Sequence, residues 1–244
     1  MTVRGLAVLA CLLVGCARRD DPQHLVPASD SAPLDSVRYP IAAAGTVTVQ
    51  IDAPLEKFRG RATLLSGHLD LDVRDLTRAR GEIVADLDAF TTQTFGVAAD
   101  DAKQTEHARD WLELGPAVEP KRREELRYAR FVLEAVQSAS AKSLAEAKEE
   151  GGARAVDFTV RGQLRIHGRS AAKVVEIRVV FRGPPDAPTE LAVTTRAPLV
   201  ASLIEHAVEP RDHLGRFLRG AFETFGKKLD DKVQISVSAR AVRP

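Results

Sequence analysis

The feature that most constrains this chain is a two-residue hydrophobic period that begins at Tyr39 and runs to near the C-terminus. Successive side chains of a strand point to opposite faces, so an apolar residue at every second position makes one dry face and one wet face. In 154–167, Val156, Phe158, Val160, Leu164 and Ile166 share a face with Gly162, opposite Asp157, Thr159, Arg161, Gln163, Arg165 and His167. In 64–73, Leu65, Gly67, Leu69, Leu71 and Val73 oppose Ser66, His68, Asp70 and Asp72. Stretch 82–89 sets Ile83, Ala85, Leu87 and Ala89 against Glu82, Asp86 and Asp88. Val175, Ile177, Val179 and Phe181 repeat the pattern in 174–182, as do Val233, Ile235, Val237 and Ala239 in 232–241. Shorter copies lie at 46–52, 128–137 and 189–196. One-sided strands belong to antiparallel sheets, because buried parallel strands are apolar on both faces. About eight of them close into a barrel or stack as a sandwich, and closure removes exposed edges. The expected fold is all-β with minor α, an eight-stranded antiparallel barrel with short helical insertions. Gly67 and Gly162 on the dry faces mark sharp bends or vacant space.

Two segments break the period. Residues 100–114 are charged, open on Asp100-Asp101 and end on Trp111-Leu112-Glu113-Leu114, which predicts a helix started by acids at its positive end. In 213–226, Leu214, Phe217, Leu218, Ala221, Phe222 and Phe225 recur at helical spacing, with Asp212 before them and Gly226 after. This second helix packs on the core, serves as a lid over a cavity entrance, or binds a partner. Residues 141–153 read as a solvated helical tip ending at Gly151-Gly152.

The N-terminus is an address. Arg4 precedes an apolar run from Gly5 to Leu13, too short to span a bilayer but long enough for a signal peptide. Leu13-Val14-Gly15-Cys16 resembles the bacterial lipobox, which implies cleavage after residue 15 and acylation at Cys16. Lasting attachment takes two or more acyl chains. Ala17, not an acid, follows the cysteine, which by resemblance to lipoprotein sorting implies the outer membrane, facing the periplasm. Residues 16–37, rich in Pro, Ser and Asp without apolar period, read as a lipidated N-terminus and flexible tether, and 38–244 as the folded domain.

Charge and motifs narrow the function classes. The chain has 35 basic and 34 acidic residues among 244. That balance argues against bulk electrostatic capture of nucleic acid. The only cysteines are Cys11 and Cys16, so no disulfide framework or four-cysteine zinc site is expected. The six histidines (24, 68, 107, 167, 206, 213) show no metal-binding spacing. His68 and His167 read as surface residues, and His206 and His213 as a loop pair. Asp70, Asp72, Asp86 and Asp88 read as solvated strand faces, not as a catalytic carboxylate pair. The basic run Lys121-Arg122-Arg123 lacks interleaved aromatics. No catalytic constellation, cofactor or metal is expected.

The stretch Phe158 to Phe181, with Gly162-Gln-Leu-Arg-Ile-His-Gly168 between its two strands, resembles the YceI-like domain family. Further matches follow in order: Gly60 to Leu71, Asp88 to Thr94, Glu106 to Leu114, and Arg127 to Ala135 with Ala129 in place of a proline. The departures are Ile41 to Gly45 at the first strand, the insert 141–153 and the Phe-rich segment 213–226. The resemblance covers about residues 38–242. It implies an eight-stranded lipocalin-like barrel that holds an isoprenoid or other amphiphilic lipid without catalysis. The expected barrel interior is Leu69, Leu71, Ile83, Leu87, Phe158, Val160, Leu164, Phe181, Ile235 and Val237. Small interior residues (Gly67, Ala85, Ala89, Gly162, Ala239) are expected to leave room for it. The alternative is an envelope interaction or structural lipoprotein with a filled core. Homodimerisation is left open.

Overall fold

The computed structural model describes residues 35–51, 58–209 and 231–244. The signal segment 1–15, Cys16, nearly all of the tether and the Phe-rich stretch 213–226 lie outside the described residues. Eight strands close into an antiparallel ring. They are β2 (Ala44–Ile51), β3 (Phe58–Leu71), β4 (Arg80–Asp86), β6 (Tyr128–Ala139), β8 (Ala153–Ile166), β9 (Arg169–Arg182), β10 (Glu190–Thr195) and β12 (Lys232–Val242). The order around the ring is β3-β2-β12-β10-β9-β8-β6-β4, and β4 pairs back to β3 to shut it. Four short strands lie outside: β1 (Val37–Pro40) and β5 (Phe90–Thr92) on β3, β7 (Glu149–Glu150) on β8, and β11 (Leu199–Ser202) on β12. Among the described residues the helices are α1 (Ala98–Trp111) and α2 (Pro120–Leu126), the latter opened by proline at its first turn.

Local chemistry explains the connections. Ile166 pairs with Arg169, so only His167 and Gly168 make the β8–β9 turn, with φ of 50° and 75°. Two positive-φ residues give the tight turn whose twist matches that of the strands. Gly151 and Gly152 do the same between β7 and β8. Gly67 bends β3 at φ 115°, where an added Cβ would sit 2.2 Å from the Glu82 carbonyl oxygen; close backbone approach, not vacant space, demands glycine there. At Gly162 the space is taken by the Phe131 ring, whose Cζ lies 2.6 Å from where a Cβ would be.

Several expectations need correction. The 82–89 strand stops at Asp86, and Leu87–Ala89 is a 3-10 turn whose start Asp86 caps by accepting from the Asp88 N–H at 2.9 Å. Residues 141–153 are not a solvated helix: a single 3-10 turn, Leu144–Glu146, buries Leu144 completely. Asp70 and Asp72 are buried, not solvated. Asp70 does point out of the ring, but β1 pairs alongside β3 and sets Arg38 directly opposite it on the same face. The Arg38 guanidinium donates to both Asp70 oxygens at 2.8 and 2.9 Å. Asp72 accepts from the Arg74 N–H at 3.0 Å. His167 is buried, with Nε2 3.2 Å from Glu113 Oε1.

The register assigns the two barrel ends. One holds the β8–β9 turn, α1, α2, β11 and the ends of β2 and β3 at Ile51 and Phe58. The other holds Leu71, the 3-10 turns at 76–78 and 144–146, and the β9–β10 connection. At this second end buried side chains close the barrel interior: Tyr39, Leu76, Leu144, Val156, Leu191 and Ala241 have no exposed surface. The Tyr39 hydroxyl donates to the Pro188 carbonyl at 3.1 Å, and burial raises its pKa.

Candidate functional site

The other half of the barrel is hollow. A cavity of about 210 Å³ runs from mid-barrel to the helical end. Its wall is built from the inward residues of every ring strand: Val47 and Val49 of β2, Leu69 of β3, Ile83 and Ala85 of β4, Phe131 and Leu133 of β6, Val160 and Leu164 of β8, Val175 and Ile177 of β9, Val193 of β10, and Ile235 and Val237 of β12. At the helical end Ala108, Trp111 and Leu112 of α1 and its exit, with Leu199, Leu203 and Val208, complete it. The polar residues among the lining are Glu82 and Arg130, which pair with each other at 2.9 Å, and Thr195, whose hydroxyl accepts from the Val237 N–H at 3.1 Å. Among the described lining residues, then, the few polar groups are already partnered. Such a surface offers dispersion and desolvation to an apolar chain and little orientation to a polar one.

Of the ten residues expected inside the barrel, Leu69, Ile83, Leu87, Val160, Leu164, Ile235 and Val237 line this cavity. Leu71, Phe158 and Phe181 are buried, but in the core cluster with Tyr39, Leu76, Leu144 and Val156. Of the small residues expected to leave room, only Ala85 lines the cavity; Gly67, Ala89, Gly162 and Ala239 do not. Ala62, Ala85 and Ala129 supply the small wall positions instead. The sequence places Trp111 at a helix end and marks it as no part of a barrel wall. No period in a strand foretells which side chain of a neighbouring helix leans over the opening.

Polar ties fix the helical end. Arg127 donates to both Asp86 oxygens, at 2.9 and 2.6 Å, and its guanidinium lies 5.1 Å from the centre of the Tyr128 ring. These hydrogen bonds hold the Asp86 carboxyl below its ordinary pKa. His206 is buried with Nδ1 3.1 Å from the Arg169 carbonyl oxygen. Burial pushes its pKa down. Its expected loop partner His213 lies outside the described residues. Among the described residues no group of three or more His, Cys, Asp or Glu side chains is placed to hold a metal ion.

Comparison with known proteins places the architecture. The crystal structure of Burkholderia cenocepacia BcnA superposes with a TM-score of 0.53 at 16% identity, over 81% of this chain and 96% of that one. A polyisoprenoid binding domain from Saccharophagus degradans, implicated in plant cell wall breakdown, superposes at 0.54 and 15% identity, over 86% and 99%. At these identities the likeness is one of fold. No curated protein matches in sequence. The family model of the YceI-like domain matches residues 40–241, the same span that forms the closed ring and its cavity, and the chain belongs to the YceI-like domain family.

Proposed function

We propose that this chain binds a chain-like amphiphilic lipid, an isoprenoid or a close analogue, in the hollow half of the barrel, and does so without catalysis. The observation that carries this reading is the almost wholly apolar cavity inside a YceI-like barrel. The structurally similar Saccharophagus degradans domain, described as polyisoprenoid binding, supports the ligand class. The residues proposed to touch the ligand are Leu69, Ile83, Leu87, Val160, Leu164, Ile235 and Val237, with Leu71, Phe158 and Phe181 closing the floor. The lipobox-like Leu13 to Cys16 supports acyl tethering at Cys16, and Ala17 supports the outer membrane as the site of attachment.

Two experiments test this. Mass spectrometry of the protein purified from native extract is expected to find a co-purifying isoprenoid. Failure of the delipidated protein to take up any prenyl alcohol in a displacement assay refutes lipid binding. Separately, Cys16→Ser is expected to move the protein from the membrane to the soluble fraction; unchanged fractionation refutes the tether and leaves the binding claim standing.

A further inference from the structure

The barrel ring is complete in its order but not along its whole height. β10 and β11 are two halves of one strand against β12: Glu190–Thr194 face Val242–Ser238, and Leu199–Ser202 face Ile235–Lys232. Residues 195–198 between them insert extra chain and shift the register, as a bulge does. On its other flank β10 pairs with β9 as far as Thr195 opposite Ile177. Arg196 then donates its N–H to the Glu176 carbonyl at 2.8 Å, and the ladder stops. Among the described residues no backbone pairing joins β11 to residues 169–175 of β9. A closed barrel leaves no strand edge; here an edge is left over a short stretch, at the hollow end.

Among the described residues, only side chains cross this seam. Lys173 Nζ lies 2.6 Å from Glu205 Oε2, and His206 reaches the Arg169 carbonyl at 3.1 Å. The inner lips of the seam are cavity wall: Val175 and Ile177 on β9, Leu199 and Leu203 on the β11 side. The outer lips are apolar too. Val174 is 53% exposed, Val200 49% and Ile204 62%. Single exposed apolar side chains are ordinary on a protein surface. Three at the lips of one unpaired seam, with cavity wall directly behind, set an apolar strip of surface against the apolar cavity wall.

We propose that the seam between β9 and β11 is a side portal through which the apolar chain of the ligand passes, with the Lys173–Glu205 ion pair as its latch. This rests on the lipid-binding reading above. A ligand longer than the cavity leaves its remainder in the portal, against Val174, Val200 and Ile204.

The test follows transfer of a dansyl-labelled farnesyl probe from phosphatidylcholine vesicles to the full chain by stopped-flow fluorescence. Glu205→Gln and Lys173→Gln are expected to speed uptake and release together, about 3–5-fold, the effect of losing a partly exposed ion pair, with Kd nearly unchanged. The charge swap Lys173→Glu with Glu205→Lys is expected to return both rates toward those of the unaltered chain. Ile204→Asp, at an exposed position that folding does not need, is expected to slow uptake by about tenfold by placing a charge on the apolar path. Unchanged rates in these variants, with the probe still bound, overturn the portal and leave lipid binding intact. No binding of the probe by the unaltered chain overturns the lipid reading itself, and the portal with it.

Discussion

The sharpest consequence of a half-hollow barrel is a limit on ligand length. Each water-sized position takes about 10–15 Å³ of such volume. The cavity of about 210 Å³ therefore holds on the order of 14–21 such positions. A chain methylene is close to a water in size, so affinity is expected to rise along a ladder of prenyl alcohols from geraniol to farnesol and to level off near geranylgeraniol. The perturbation is Ala85→Phe. Ala85 is buried, on the cavity wall, and faces the equally small Ala129 across the β4–β6 pair. The added ring brings about six carbons into the cavity and displaces about that many from the ligand. At about 0.8 kcal/mol per buried CH₂ the full loss for a cavity-filling chain is about 5 kcal/mol, an upper bound. A ligand able to slide outward recovers part of this, so the expected loss is about 100–1,000-fold for geranylgeraniol. Geraniol, which leaves much of the cavity free, is expected to lose less than about tenfold. The assay is displacement of a fluorescent fatty-acid probe, with thermal melting to show that the variant is folded. An equal loss at every chain length, or no loss at all, would falsify the cavity as the binding site.

Other parts of the molecule give further tests. Leu144→Ala, at a fully buried position in the solid end, is expected to cost about 2–5 kcal/mol of stability in denaturant unfolding; prenol affinity measured on the folded fraction should not change. His206 has its folded pKa depressed below 6.5 by burial. The unfolded chain then binds the proton more readily, so stability is expected to fall as pH drops through about 6.5, and to rise again with pH. His206→Gln should flatten that part of the pH–stability curve, and an unaltered curve would refute the assignment. Asp86, whose pKa is lowered chiefly by the Arg127 hydrogen bonds, contributes stability above the ordinary aspartate range that is lost on acidification. Arg127→Met is expected to weaken the acid dependence seen below about pH 4 in circular-dichroism melts. Gly162→Ala is expected to destabilise by roughly 1–3 kcal/mol, because its Cβ meets the Val132 carbonyl oxygen and the Phe131 ring.

The period of two carried most of the ring, because a barrel strand is buried on one face over its full length. β8 and β9 follow it from end to end, with Val156, Phe158, Val160 and Leu164 inside. It failed where something outside the ring covers the wet face or where the strand stops being straight. Asp70 obeys the alternation and is buried all the same, because β1 pairs beside β3 and its Arg38 covers the carboxylate. The four-residue β1 is too short to show a period of its own. Leu87 falls at the right position for an inward strand residue and does line the cavity, but from a 3-10 turn. His167, which alternates with Ile166 as a surface residue would, turns at positive φ and meets Glu113 from the α1 exit.

What alternation could not distinguish is a filled barrel from a hollow one, since both require the same dry faces. The difference arises from residues outside the strands. At the solid end, Leu76 and Leu144 enter from two 3-10 turns, and their backbones tie the turns to each other's neighbours: Leu76 donates to the Lys142 carbonyl at 2.8 Å, and Leu144 to that of Val73 at 2.8 Å. With Tyr39 they stopper that end, which is why Phe181 and Leu71 pack against side chains there. At the other end the covering elements are α1, which has no fully buried residue, and the segment after β11. These lean Trp111, Leu112 and Leu203 over the opening without filling it. For the lipid ligand proposed above, a stoppered floor and a loosely covered top set the direction of entry: its apolar chain would go in tail-down toward Val160 and Leu133 and leave its polar head at the helical end, where the β9–β11 ladder also fails.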